Sequence, residues 1–113
     1  MTTINRKQPD RQEIANRVEF PQQQITAFCQ RYHIRKLALF GSVLREDFRP
    51  DSDVDVLVEF ASGHVPSLIK MAELEIELSR ILGQKVDLRT PAELSRYFRQ
   101  QVIDQAQVQY ECQ

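Results

Sequence analysis

Ile25, Phe28, Cys29 and Tyr32 recur at three- and four-residue intervals after Pro21, which predicts an amphipathic helix with His33 at its C-terminal end. The pattern then changes period. Lys36-Leu37-Ala38-Leu39-Phe40 is apolar at almost every position, as in a strand buried on both faces, and runs into Gly41-Ser42 and a helix-compatible segment from Val43. Asp53-Val54-Asp55-Val56 alternates and Leu57-Val58-Glu59-Phe60 is strongly β-prone, so this stretch predicts a second strand with Val54 and Val56 turned to the core. Ser67 to Leu82 reads as a helix closed by Gly83 in a left-handed cap, and Lys85-Val86-Asp87-Leu88 as a short third strand. Thr90-Pro91-Ala92-Glu93 has a capping hydroxyl, proline at the first helical position and glutamate three residues after the cap. A last helix is predicted from there, with Leu94, Phe98 and Val102 on one face, and Val108 and Tyr110 suggest a short closing strand.

Two features stand out from this regular pattern. The apolar residues of the 67–82 helix spread over roughly 220° at about 100° per residue, more than one sheet contact requires. The surplus is expected to pack against the terminal helix or to meet a partner protein, and Glu75 falls inside the apolar arc without an evident reason. Residues 1–20 are polar and mildly basic (Arg6, Lys7, Arg11, Arg17), with Ile14 and Val18 as their one apolar pair at helical spacing. They predict a flexible or marginally helical extension.

The chain has 113 residues, room for one domain. Charged residues make up 27% but the net charge is −1, so no global basic field favours a nucleic-acid partner. No apolar run approaches the roughly 20 residues of a membrane span, and residues 1–7 open no signal-peptide core, so a cytoplasmic location is expected. Cys29 and Cys112 lie far apart without a metal-binding or disulfide pattern, and Cys29 reads as a small core residue. His33 and His64 have no visible catalytic partner and are assigned to surface or loop.

The candidate chemistry lies between the first two strands. Gly41 has no Cβ to hold a phosphate away from backbone N–H groups, and Ser42 adds a hydroxyl donor. Asp53 and Asp55 face the same way along their strand, with Cα atoms roughly 6 to 7 Å apart. Two adjacent carboxylates repel, and aspartate is disfavoured in strands, so packing gives no reason for the arrangement. Mg²⁺ removes the conflict, and no histidine or cysteine lies nearby to suggest zinc.

The order Gly41-Ser42, ten residues, Asp53-Val54-Asp55 resembles the signature of the DNA polymerase β-like nucleotidyltransferase superfamily. With Arg45 three residues after Ser42 and Pro50-Asp51-Ser52 before the first aspartate, the stretch from Leu37 to Val58 looks most like the minimal nucleotidyltransferase (MNT) group. The similarity extends to Lys85-Val86-Asp87-Leu88 and covers roughly Ile25 to Tyr110. The resemblance implies an α/β fold, a small mixed sheet carrying Asp53, Asp55 and Asp87 with helices packed mainly on one face, in a nucleotidyltransferase domain over 21–113. It also implies that Gly41 and Ser42 hold the triphosphate and that Asp53, Asp55 and Asp87 are the catalytic carboxylates binding two Mg²⁺ ions. One ion would lower the pKa of an attacking hydroxyl and the other would neutralise the departing pyrophosphate. Arg45 is placed to reach a β- or γ-phosphate, with Arg49 and Arg89 as weaker candidates.

MNT proteins commonly act as antitoxins paired with HEPN-domain ribonuclease toxins, so the resemblance implies transfer of AMP from ATP to a tyrosine hydroxyl of such a partner. Two alternatives remain open: an antitoxin that neutralises its toxin by binding alone, and a transferase for a small molecule.

Overall fold

The structure, a computed structural model, describes residues 17–45, 48–49 and 51–112. Helix α1 (Gln22–Arg31) leads into strand β1 (Ile34–Phe40) and a four-residue 3-10 turn (Gly41–Leu44). Strand β2 (Val54–Phe60), helix α2 (Leu68–Leu82) and strand β3 (Val86–Arg89) follow. A short 3-10 turn (Pro91–Glu93), helix α3 (Arg99–Gln105) and strand β4 (Gln107–Glu111) complete the described chain. The four strands form one mixed sheet in the order β3-β2-β1-β4. Strand β1 runs antiparallel to β2 and β4, whereas β2 and β3 are parallel, joined through α2.

Period-two alternation divides the sheet into two faces. Leu37, Leu39, Val54, Val56, Val58, Val86 and Leu88 form one face, packed in a single core with Ile25, Phe28 and Cys29 of α1 and Leu74, Leu78 and Leu82 of α2. Burying a large aliphatic or aromatic side chain of this kind contributes about 1.5 to 3 kcal/mol, so this face accounts for most of the folding drive. Asp55 and Asp87 project from the other face. Ala38 and Leu57 on that side are also buried, which explains why β1 reads as apolar without interruption from Leu37 to Phe40.

Residues 1–16 of the expected N-terminal extension lie outside the described residues. Of the last four positions of that stretch, Val18 is 1% exposed and belongs to the core, and Phe20 packs against it.

Helix α2 begins and ends where its sequence signals lie. The Ser67 hydroxyl accepts from the Lys70 N–H at 3.2 Å, and Gly83 closes the helix at φ 70°. Its broad apolar arc is only partly covered: Leu68 and Ile69 are 85% and 78% exposed. The terminal helix does not take up this surplus. Glu75, unexplained by sequence, has a structural partner: its Oε2 accepts from the Leu88 N–H at 2.8 Å. Ser79 Oγ accepts from the Val86 N–H at 3.0 Å and donates to the Glu75 carbonyl at 2.7 Å. These two side chains satisfy donors on the outer edge of β3, which has no further strand beside it.

The single helix predicted from Thr90 is broken into two pieces. The start forms as expected, with Glu93 Oε1 accepting from the Thr90 N–H and hydroxyl at 2.9 and 3.1 Å. Arg99 then donates to the carbonyls of Pro91, Ala92 and Leu94 at 2.8, 3.5 and 3.1 Å. The Pro91 carbonyl also accepts from the Leu94 N–H at 3.2 Å, and Leu94 then turns to an extended conformation at ψ 147° that ends the turn. The closing strand is present as β4 on the free side of β1.

Candidate active site

The site begins with a steric fact about Gly41. Its φ is 72°, a conformation that L-residues with a side chain rarely adopt, and a Cβ there would lie 2.2 Å from Oδ2 of Asp55. The turn after β1 therefore closes directly onto the carboxylate on β2. The Ser42 backbone N–H donates to Asp55 Oδ2 at 3.4 Å, and the Ser42 hydroxyl donates to the Asp53 carbonyl at 3.1 Å. The N–H thus faces the Asp55 carboxylate while the hydroxyl ties the turn to the backbone of Asp53, and the longer bond is weak enough to be shared with an incoming oxygen.

Sheet register sets the rest. Asp55 pairs with Phe40 across the antiparallel ladder and with Asp87 across the parallel one, so Asp55 and Asp87 sit side by side on adjacent strands roughly 4.8 Å apart. Asp53 stands one residue before β2 begins, where the Val54 N–H donates to the Lys85 carbonyl at 2.8 Å and ties the starts of β2 and β3 together. The sequence places Asp53 within the strand. The structure ends the ladder one residue later, at Val54, and leaves the Asp53 side chain 49% exposed with Lys85 Nζ 4.0 Å away. Asp87 is paired with Arg89 at 3.0 Å through Nε and at 3.4 Å through Nη2.

Asp55 is the electrostatic centre of the group. Burial raises its pKa above the ordinary carboxylate value, and the negative charges of Asp87 and Asp53 raise it further. The Ser42 N–H and the positive charge of Arg45 pull in the opposite direction. Arg45 lies at the end of a 3-10 turn, not inside an α-helix, yet its charge acts on Asp55 as a residue near the site would. Arg89 is the counter-ion of Asp87. Arg49 closes a loop with Ser52 through backbone bonds, and its side chain is exposed.

The donor set fits a hard divalent cation. It consists of carboxylate oxygens from adjacent strands, and burial together with the charges of Asp87 and Asp53 disfavours the ionised form of Asp55, a cost that a cation would relieve. Among the described residues no three His, Cys, Asp or Glu side chains are already gathered at metal-binding spacing. The Asp87 carboxylate is instead paired with Arg89, its neighbour two residues on along β3.

Arg17 holds the turn from behind, Gln84 holds Arg17 and Glu75 holds the outer edge of β3, and the sequence assigned none of them a role. Glu75 left a trace as a charge in an apolar arc, but a single arginine in a polar stretch and a glutamine after a helix-capping glycine carry no signal. No helix among the described residues is long and apolar enough to cross a membrane.

Comparisons with known proteins agree with this geometry. A family model described as "Nucleotidyltransferase domain" matches residues 22–109. The protein adenylyltransferase MntA of Thermococcus cleftensis is 46% identical over 59 residues, which are 52% of this chain and 58% of MntA. The chain thus matches less than two thirds of that relative's length. A crystal structure of a toxin–antitoxin with AMP-PNP superposes with a TM-score of 0.66 at 25% identity, covering 83% of this chain and 76% of the other. A structure of a tri-AMPylated Shewanella oneidensis HEPN toxin in complex with MNT antitoxin superposes with a TM-score of 0.59 at 25% identity, over 80% of this chain and 70% of the other. The chain belongs to the nucleotidyltransferase-domain family.

Proposed function

We propose that this chain is an antitoxin nucleotidyltransferase that transfers AMP from ATP to a tyrosine hydroxyl of a partner HEPN ribonuclease toxin. The observation that carries the reading is the closure of the Gly41-Ser42 turn onto Asp55, with Asp87 beside Asp55 in register. A turn with a left-handed glycine pressed against a carboxylate, one donor on that carboxylate and a second on the neighbouring aspartate's backbone, is not explained by core packing. It brings phosphate-binding groups and charge-bearing oxygens to one point. The similarity to MntA and to the AMP-PNP and AMPylated-toxin complexes supports the nucleotide and the acceptor class.

Each residue then has a role. Gly41 and Ser42 orient the triphosphate through backbone N–H and hydroxyl, and Arg45 offsets its negative charge. Asp53, Asp55 and Asp87 would hold Mg²⁺, which neutralises phosphate charge and makes the attacking hydroxyl more acidic. The tyrosine oxygen bonds to the α-phosphorus as the bond to the bridging oxygen breaks and pyrophosphate leaves. Asp87 would accept the hydroxyl proton, and Arg89, paired with it at 3.0 Å, would orient that carboxylate.

The test is intact-mass spectrometry of the candidate HEPN partner after incubation with this chain, ATP and Mg²⁺, with Asp53→Asn as control. Mass gains in AMP units that vanish in the variant support the reading. A stable complex with unmodified toxin, in which the variant neutralises as well as the wild type, refutes catalysis as the mode of action.

A further inference from the structure

Arg17 lies behind the phosphate turn and grips it by the backbone. Its Nη1 donates to the Val43 carbonyl at 2.6 Å and to the Arg45 carbonyl at 2.8 Å. These acceptors stand at the C-terminal end of the Gly41–Leu44 turn, opposite the end that faces Asp55. The residue is itself anchored on both sides. Val18 next to it is buried in the core, and the Arg17 carbonyl accepts from Gln84 Nε2 at 3.3 Å. Gln84 immediately precedes Lys85, whose carbonyl receives the Val54 N–H at the start of the strand bearing Asp55.

A four-residue 3-10 helix has little stability of its own. Here the Arg45 N–H closes it onto the Ser42 carbonyl at 3.0 Å, and the Arg45 carbonyl itself takes only a long bond from the Phe48 N–H at 3.4 Å besides those of Arg17. A guanidinium that bridges two of those carbonyls selects one orientation for the intervening peptides. Those peptides are continuous with the Ser42 N–H, so the fork fixes the direction of the donor that faces Asp55. The same residue, through Gln84, ties the turn to the junction from which β2 and β3 both start.

We propose that Arg17 is a positioning residue for the nucleotide triphosphate, holding the Gly41–Leu44 turn in its phosphate-ready form without touching the substrate. The inference rests on the reading of that turn as the phosphate site. It assigns a role to a residue outside the signature that identifies the family.

The variants are Arg17→Ala and Arg17→Lys, the latter keeping the charge on a side chain one bond shorter, whose tetrahedral ammonium does not reproduce the two coplanar N–H groups of Nη1. Two measurements are made on each: hydrogen exchange of the Arg45 amide in the nucleotide-free protein, and ATP affinity by titration with Mg²⁺ present. Arg17→Ala is expected to speed Arg45 exchange while β1 and β2 amides stay as in wild type. It is expected to weaken ATP binding roughly 10- to 100-fold, the scale of losing charge-assisted hydrogen bonds. Millimolar guanidinium should restore much of that loss and methylammonium should not. Arg17→Lys should fall between, and it carries the test if the alanine variant does not fold. ATP affinity within about twofold of wild type in a folded Arg17 variant overturns the inference. Wild-type protein that binds no nucleoside triphosphate overturns the proposed function instead, and Arg45 exchange then still decides whether Arg17 holds the turn.

Discussion

Gly41→Ala is the substitution that separates a site glycine from an ordinary turn glycine, because the chain supplies its own control. Gly41, Gly63 and Gly83 all have positive φ, at 72°, 80° and 70°. A Cβ on Gly63 meets nothing within 4 Å, whereas on Gly41 it falls 2.2 Å from Asp55 Oδ2. Gly63→Ala therefore carries only the left-handed backbone penalty of about 1 to 2 kcal/mol. Gly41→Ala carries that penalty and also forces the carboxylate back by roughly 1.2 Å, the gap between 2.2 Å and an ordinary contact of 3.4 Å. Driving Asp55 off its rotamer costs about 0.5 to 1.5 kcal/mol, and losing the Ser42 N–H bond adds about 0.5 to 1.5 kcal/mol. The excess over Gly63→Ala is thus about 1 to 3 kcal/mol. At about 4 °C per kcal/mol for a domain of this size, that is a further Tm loss of about 4 to 12 °C by calorimetry.

The catalytic effect should be larger than the thermal one, since a misplacement of about 1 Å can cost about 10²-fold in rate. A double-mutant cycle isolates the cause: in an Asp55→Ala background the excess cost of Gly41→Ala should disappear, giving a coupling of about 1 to 3 kcal/mol. Equal Tm losses for Gly41→Ala and Gly63→Ala, or an excess that survives the removal of Asp55, would refute the argument.

Three further outcomes follow from other parts of the molecule. Glu75→Ala leaves the Leu88 N–H without its acceptor and should cost about 1 to 3 kcal/mol, while Glu75→Gln, which keeps an oxygen, should cost much less; chemical denaturation distinguishes them. Burial raises the folded-state pKa of Asp55, so its contribution to stability is greatest below the ordinary carboxylate range and is lost as pH rises through the raised value. Without metal, wild type should accordingly lose stability relative to Asp55→Asn as pH is raised, and parallel pH–Tm curves would contradict this. Cys29 is fully buried with its thiol pushed up to about 12, while Cys112 is exposed, so a thiol reagent near neutral pH should titrate one group in the native protein and two after denaturation.

What could be read from the sequence was whatever depends on neighbours along the chain. The α2 cap at Ser67, its end at Gly83 and the orientation of Val54 and Val56 are local, and the structure has them where the pattern indicates. Gly41, Ser42, Asp53 and Asp55 were found because they lie on two consecutive strands and the single connection between them, with Ser42 only 11 and 13 positions from Asp53 and Asp55. Asp87 needed the resemblance, since parallel register between β2 and β3 is a tertiary fact. The broken terminal helix was not legible: Thr90 to Glu93 is a proper helix start, and the Arg99 guanidinium that caps the interrupted turn comes from beyond the break. Arg17 was invisible for a similar reason, because its partners lie 26 and 28 residues away.

The two faces of the sheet divide the labour between folding and chemistry. The α1–α2 face is a dense aliphatic core that would hold the sheet together whatever stood on the other side. The opposite face carries features that each oppose stability: a left-handed turn, a half-buried carboxylate whose ionised form is disfavoured, and two more aspartates close enough to raise its pKa. The structure offsets these with positive charge at the periphery, Lys85 beside Asp53 and Arg89 on Asp87, and with backbone anchors from Arg17 and Glu75. None of these partners neutralises Asp55 by direct contact. A cation binding there would therefore stabilise the fold as well as assemble the site, and a Mg²⁺-dependent rise in Tm that Asp55→Asn abolishes is the observation that would join the two. Absence of any such rise in the wild type would mean that the carboxylates tolerate one another without a metal and that their arrangement needs another explanation.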